Sequence, residues 1–123
     1  MAKTLAVVDD LFFGAKIRAS ARQVGIELEM VRAADFSRAQ LADGQPALMI
    51  VDLNATSANP VELIREVKSD PALAAIPVVG FVSHVQVALL RAAEQAGCEE
   101  VMPRSKFSAT LPVLLRRYTT PGT

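Results

Sequence analysis

Three aspartates stand where chemistry is possible. Asp9 and Asp10 end the apolar run Leu5 to Val8, and Asp52 ends the run Ala47 to Val51. A carboxylate at the last residue of a buried strand is costly unless something pairs with it, because desolvation penalises the charge. If the two strands lie side by side, three carboxylates meet at one rim of a sheet. Such a cluster calls for a cation, a proton or a phosphoryl group, and at least one of its members should titrate abnormally.

The elements that must position these residues alternate along the chain. Leu5 to Val8 suits a strand buried on both faces. Phe13, Ile17, Ala21 and Val24 then recur at helical spacing, and Gly25 stops that helix. Ile26, Leu28 and Met30 alternate with Glu27 and Glu29 as a less buried strand, and a short helix spans about Ser37 to Ala42. Ala47 to Val51 is the most apolar strand. Asn59-Pro60 reads as an N-cap followed by proline at the first helical position, with Val61, Leu63, Ile64 and Val67 as the buried face. Pro77 to Val82 forms the fourth strand, Gln86 to Ala96 a helix closed by Gly97, and Val101-Met102 a brief fifth strand. Ser108 is expected to cap a last helix running to about Tyr118, with Pro112 near its first turn. Five strands alternating with five helices predict a doubly wound, five-stranded parallel α/β sheet, with ligands bound beyond the carboxyl ends of the strands.

The bulk numbers agree with one folded domain, expected over residues 1–118 with a loose tail at 119–123. The chain has 123 residues, 51% of them hydrophobic, which suffices for one core and marks a folded rather than a disordered chain. Thirteen basic and thirteen acidic residues cancel, so no global field draws the chain to nucleic acid or to an anionic membrane. The apolar runs, such as Ile76 to Val82, are far below the ~20 residues of a membrane span, and no secretory signal opens the sequence. The single cysteine, Cys98, fits a small buried filler and a reducing, cytoplasmic setting.

In these residues the chain resembles a receiver domain of bacterial response regulators over essentially its whole length. Val7-Val8-Asp9-Asp10 matches the family's acidic pair, Ile50-Val51-Asp52-Leu53-Asn54 its phospho-acceptor strand, and Gly97-Cys98-Glu99-Glu100 the segment before the fifth strand. The resemblance implies a flavodoxin-like strand order 2-1-3-4-5. It also implies a magnesium ion held by Asp10, Asp52 and the backbone carbonyl of Asn54, with a water on Asp9, and a phosphoryl group accepted by Asp52. The implied activity is two-component (phosphorelay) signalling, with no enzymatic role beyond the chain's own phosphoryl transfer. The implied partners are a sensor histidine kinase or phosphotransfer protein and a downstream signalling protein, with a homodimer left open.

The response half of the site departs from the family. Receivers place Thr or Ser at the end of the fourth strand; here counting from Pro77 puts Val82 there and Ser83 one residue beyond. Receivers follow the fifth strand with Lys and cis-Pro; here counting from Gly97 puts Arg104 at the lysine position and Lys106 two further on, followed by Phe107. Val101 stands where the family has a switch aromatic, and Asn59-Pro60 replaces its Asp-Gly. Ser83 with either Arg104 or Lys106 are therefore the candidates to complete the acceptor site.

Two alternatives stand beside the phosphorylated receiver. One is a pseudo-receiver interaction module that keeps the fold without the switch. The other is a flavodoxin-like enzyme or nucleotide binder, which the acidic loop Asp9-Asp10-Leu11-Phe12-Phe13 disfavours because it lacks a Gly-rich phosphate cradle. His84 suits a capping or surface residue, or one near the site. Arg116-Arg117 suits a solvated helix face, or a pair that complements the helix dipole at its C-terminus. Phe12 and Phe13 point about 100° apart on a helix, so either both pack under loops or one is left at the mouth of the site for a partner.

Overall fold

The β-branched and aliphatic runs form the sheet and the periodic segments its cover, in a computed structural model that describes residues 3–83 and 86–119. In chain order the elements are β1 (Lys3–Val7), α1 (Leu11–Val24), β2 (Glu27–Val31), a 3-10 turn (Ala33–Asp35), α2 (Arg38–Gly44), β3 (Leu48–Asp52), α3 (Pro60–Ser69), β4 (Val78–Val82), α4 (Val87–Gln95), β5 (Glu100–Pro103) and α5 (Arg104–Thr119). The strands pair in the order β2-β1-β3-β4-β5, all parallel, as expected. The chain leaves β1 for β2 on one side and returns to pair β3 on the other. The switch in strand order therefore lies between the ends of β1 and β3, where Asp9, Asp10 and Asp52 follow.

Strand alternation sends side chains to two cores. Ala6, Leu48, Ile50, Val79 and Phe81 pack with Phe13 and Ile17 of α1 and Phe107, Leu111 and Leu115 of α5. Leu5, Val7, Met49, Val51 and Val78 pack with Leu41 of α2, Ile64 and Val67 of α3 and Ala93 of α4. Within the first core Phe81 is the centre of an aromatic trio, its ring 4.6 Å from Phe107 and 4.7 Å from Phe13.

Local signals set the helix starts next to the sheet rim. Asp10 caps α1 by accepting from the Phe13 N–H at 3.0 Å, and Gly25, at φ 82°, closes that helix in a conformation that favours glycine. Asn59 caps α3 with Pro60 at its first position. The last helix differs from expectation. α5 starts at Arg104 rather than near Ser108, directly after β5, and Pro112 lies in its interior. Interior proline costs a helix about 3 kcal/mol. Burial of Phe107 before it and of Leu111, Leu114 and Leu115 around it supplies the compensating packing. The helix continues through Thr119, which is buried. No helix among the described residues is long and apolar enough to cross a membrane.

Because the aromatic trio is fully packed, Phe81→Ala should destabilise the fold by about 3–5 kcal/mol. Chemical denaturation should show a lower midpoint; an unchanged midpoint would refute this account of the core.

Candidate functional site

Asp52 ends the central strand β3, in register with Phe81 of β4, and is only 2% exposed. Its Oδ1 accepts from the Asn54 N–H at 2.9 Å. Burial pushes its carboxyl above the ordinary value. The Asn54 hydrogen bond and the charge of Arg104 pull it back down, while Asp10 and Asp9 add to the upward push. The abnormal titration expected of the cluster is thus found at Asp52, with desolvation ahead of mutual repulsion as its cause.

Arg104, the first residue of α5, is the cation at this rim. Its guanidinium lies 3.5 Å from Asp10 Oδ2 and sits over the ring of Phe13, 4.8 Å from the centroid. The Phe81 centroid is 6.0 Å away. Its Nε is buried and has no hydrogen-bond partner among the described residues. The absence of any loop between β5 and α5 is what puts this side chain above the aromatic trio. Lys106 is placed elsewhere: it is exposed and lines an outer groove with Glu100, Thr110 and Arg117.

Asp9 does different work from its neighbours. Its Oδ1 accepts from Ala33 N at 2.9 Å and Ser57 Oγ at 3.0 Å, and its Oδ2 accepts from Ser57 N at 2.8 Å and Thr56 N at 3.0 Å. Ser57 Oγ in turn accepts from Ala34 N at 2.9 Å. Asp9 and Ser57 therefore clasp the loop after β2 to the loop after β3. Burial pushes the Asp9 carboxyl up, but these hydrogen bonds outweigh it and hold the carboxyl below its ordinary value. Asp10 and Asp9 both act on Asp52 through charge, so the three carboxylates share one rim of the sheet as expected; among the described residues no three acidic, His or Cys side chains are grouped closely enough to hold a metal ion together.

Asn54 ties the acceptor loop to the other side of the rim. Its side-chain oxygen accepts from Ser83 N at 2.6 Å, and its amide donates to Gln86 Oε1 at 2.8 Å, just before α4. Ser83 thus meets the site through its backbone, immediately after β4. Sequence reasoning missed Ser57 and Gln86. Their partners lie 48 and 32 residues away in the chain, and no local spacing rule links them. His84 lies outside the described residues. Cys98 is buried as expected, its thiol pushed up to about 12 by burial. Arg117 is engaged rather than merely solvated, pairing with Glu100 and lying over the Tyr118 ring. Of the two phenylalanines, Phe13 is buried and Phe12 is 91% exposed.

Comparison with solved structures gives the same fold over the whole chain. The Mn(2+)-bound form of response regulator Rcp1 superposes with a TM-score of 0.80 at 17% identity, covering 100% of this chain and 98% of that one. The phosphorylated cyanobacterial phytochrome response regulator RcpA gives 0.82 at 20% identity, covering 99% and 96%. The Vibrio cholerae chemotaxis protein CheY4 gives 0.82 at 19% identity, covering 96% and 98%. The architecture is the receiver fold. No protein-family model and no curated protein matches the sequence.

The half-buried Asp9 and the buried Asp52 should respond oppositely to substitution. Asp9→Ala removes the acceptor for four hydrogen bonds and should cost about 2 kcal/mol or more at neutral pH. Asp9's folded pKa lies below its ordinary 3.8, so this difference should be complete above that pH and shrink as pH falls through the folded value. Asp52→Asn should instead raise the unfolding midpoint at neutral pH, since it removes a desolvated charge. Asp52's folded pKa is raised, so the wild type gains stability as pH falls through it and the advantage of Asp52→Asn should fade. Thermal unfolding across pH reads both; an Asp52→Asn midpoint below wild type would contradict the assignment of Asp52 as an incompletely compensated buried charge.

Proposed function

We propose that this chain is a receiver-type response regulator domain of two-component signalling that accepts a phosphoryl group on Asp52. The observation that supports this most is the desolvated Asp52 carboxylate at the strand-order switch, with a single guanidinium, Arg104, at the same rim. In the reaction an Asp52 oxygen attacks phosphorus, the bond from phosphorus to the donor's leaving oxygen or nitrogen breaks, and that group leaves with the electron pair. The product is an acyl phosphate. Arg104 keeps Asp52 more ionised than burial alone allows, and its planar fork suits the phosphoryl oxygens.

The donor chemistry fits a hard divalent cation. Asp10, Asp52 and the backbone carbonyl of Asn54 offer only oxygen, and magnesium is commonly held by one or two carboxylates with several waters retained. When bound, such an ion screens the repulsion between Asp52 and the incoming phosphoryl group. The ion would be held beside the Arg104 guanidinium, which lies 3.5 Å from Asp10 Oδ2. Asp9, engaged by four hydrogen bonds, holds the two loops that frame the site. The phosphoryl donor is a sensor histidine kinase or a phosphotransfer protein in the cytoplasm, and output passes by protein contact.

A second reading, a phosphorylation-independent interaction module, is favoured by one feature. The Arg104–Asp10 and Asn54–Gln86 contacts close the rim upon itself. Treatment with acetyl phosphate and magnesium separates the two. Intact mass should show one added phosphoryl group that is lost in Asp52→Ala. No addition would leave the interaction module, for which pathway activity should survive Asp52→Asn.

A further inference from the structure

The cation at the rim of the site rests on aromatic rings. The Arg104 guanidinium lies over the Phe13 ring, 4.8 Å from its centroid, with the Phe81 centroid 6.0 Å away. Phe13 and Phe81 pack ring to ring at 4.7 Å, and Phe107 backs Phe81 at 4.6 Å, so the surface beneath the cation is close-packed. Nε of Arg104 is buried and has no hydrogen-bond partner among the described residues, while Nη2 lies 3.5 Å from Asp10 Oδ2. Burying a donor unpaired is unfavourable. Packing alone does not call for it, since an aliphatic side chain would cover the same rings without an orphaned N–H. A positive charge alone does not call for it either, because a lysine carries no N–H at that point of its stem. What a guanidinium adds is a plane with a fork of N–H groups along its edge.

We propose that Phe13 is a positioning residue for phosphoryl transfer: stacked on one face of the Arg104 guanidinium, it fixes the plane of the fork so that the N–H edge can grip two oxygens of the group arriving at Asp52. This rests on the reading of Asp52 as the phospho-acceptor. A ring against one face restricts how the guanidinium can turn and leaves its edge free for a bidentate contact. Phe13 is itself held by the site. Asp10 Oδ1 accepts from the Phe13 N–H at 3.0 Å, and Oδ2 of the same carboxylate faces Nη2. One carboxylate thus fixes both the backbone that carries the ring and the cation lying on it. Lysine in place of Arg104 would keep the charge and lose the fork, and leucine in place of Phe13 would keep an apolar filling and lose the flat face. Lys106 cannot take over the task, because it is exposed in the outer groove beside Thr110 and Arg117.

The test follows modification of the full chain by acetyl phosphate and magnesium, with intact mass read against time and donor concentration. Phe13→Leu and Arg104→Lys should each lower the limiting rate about tenfold or more, since a displaced group loses rate steeply. Phe13→Tyr, which restores a ring face, should recover most of that rate. Ile17→Ala, a core truncation one turn further along α1, should lower the unfolding midpoint without the loss of rate, which separates positioning from packing. A second readout needs no phosphate. In the unmodified chain the Arg104 Nε–H resonance, identified by its loss in Arg104→Lys, should exchange slowly with water in the wild type and in Phe13→Tyr, and about tenfold faster in Phe13→Leu. A folded Phe13→Leu with the wild-type rate, or full rate in Arg104→Lys, would overturn the proposal and leave Asp52 as the acceptor. So would Nε–H exchange unchanged in Phe13→Leu. A wild type that takes up no phosphoryl group would remove the acceptor reading itself, and this proposal with it.

Discussion

A carboxylate has been placed at the end of a strand buried at every position, and the rim around it is arranged to make that tolerable. Asp52 loses its water to the packing of β1 and β4 on either side of β3, and only one backbone N–H and one nearby guanidinium compensate. Arg104 can do this only because α5 begins with no intervening loop. The same geometry brings the guanidinium over the Phe13 ring, where the aromatic face replaces some of the hydration the cation has lost. The aromatic trio is thus both core and support for the site.

The loops around Asp52 are held by polar side chains as well as by the buried Ala33, Leu53 and Ala55. Asp9 with Ser57 fixes the loops on the β2 side of the switch, and Asn54 with Gln86 fixes those on the β4 side. Directional bonds of this kind hold a definite geometry and also break at definite contacts. A change of charge at Asp52 therefore reaches the loop after β4 through a single neighbouring residue, Asn54, whose backbone bonds Asp52 and whose side chain bonds Ser83 and Gln86.

Much of the architecture was legible in the sequence because it is written locally. Apolar runs, the Asn59-Pro60 start and the Gly25 stop each act within a few residues, so the element order and the parallel sheet followed directly. The start of α5 was not legible: Ser108 and Pro112 are local signals for a later start, and tertiary burial of Phe107 and its neighbours overrides them. At the site, sequence placed Asp52 at a strand end and left Arg104 and Lys106 as equals. What separates them is the direction in which a helix turn carries each side chain, and that depends on where the helix begins. The commitment of Asp9 to loop backbone was equally invisible, since backbone donors leave no mark in a sequence.

The order of the strands leaves two edges, and each is guarded. β2 offers its outer edge with Glu27 and Glu29 along it, the latter paired to Lys3 of β1. β5 is four residues long, opens with Glu100 and ends in Pro103, which has no N–H to donate. Charges, brevity and proline are the features that stop one sheet from continuing into the next. The interior strands, by contrast, are mostly apolar and would template such growth if exposed. In this chain, resistance to edge-to-edge aggregation is lodged in a handful of residues at the two margins of the sheet, remote from the chemistry at its rim.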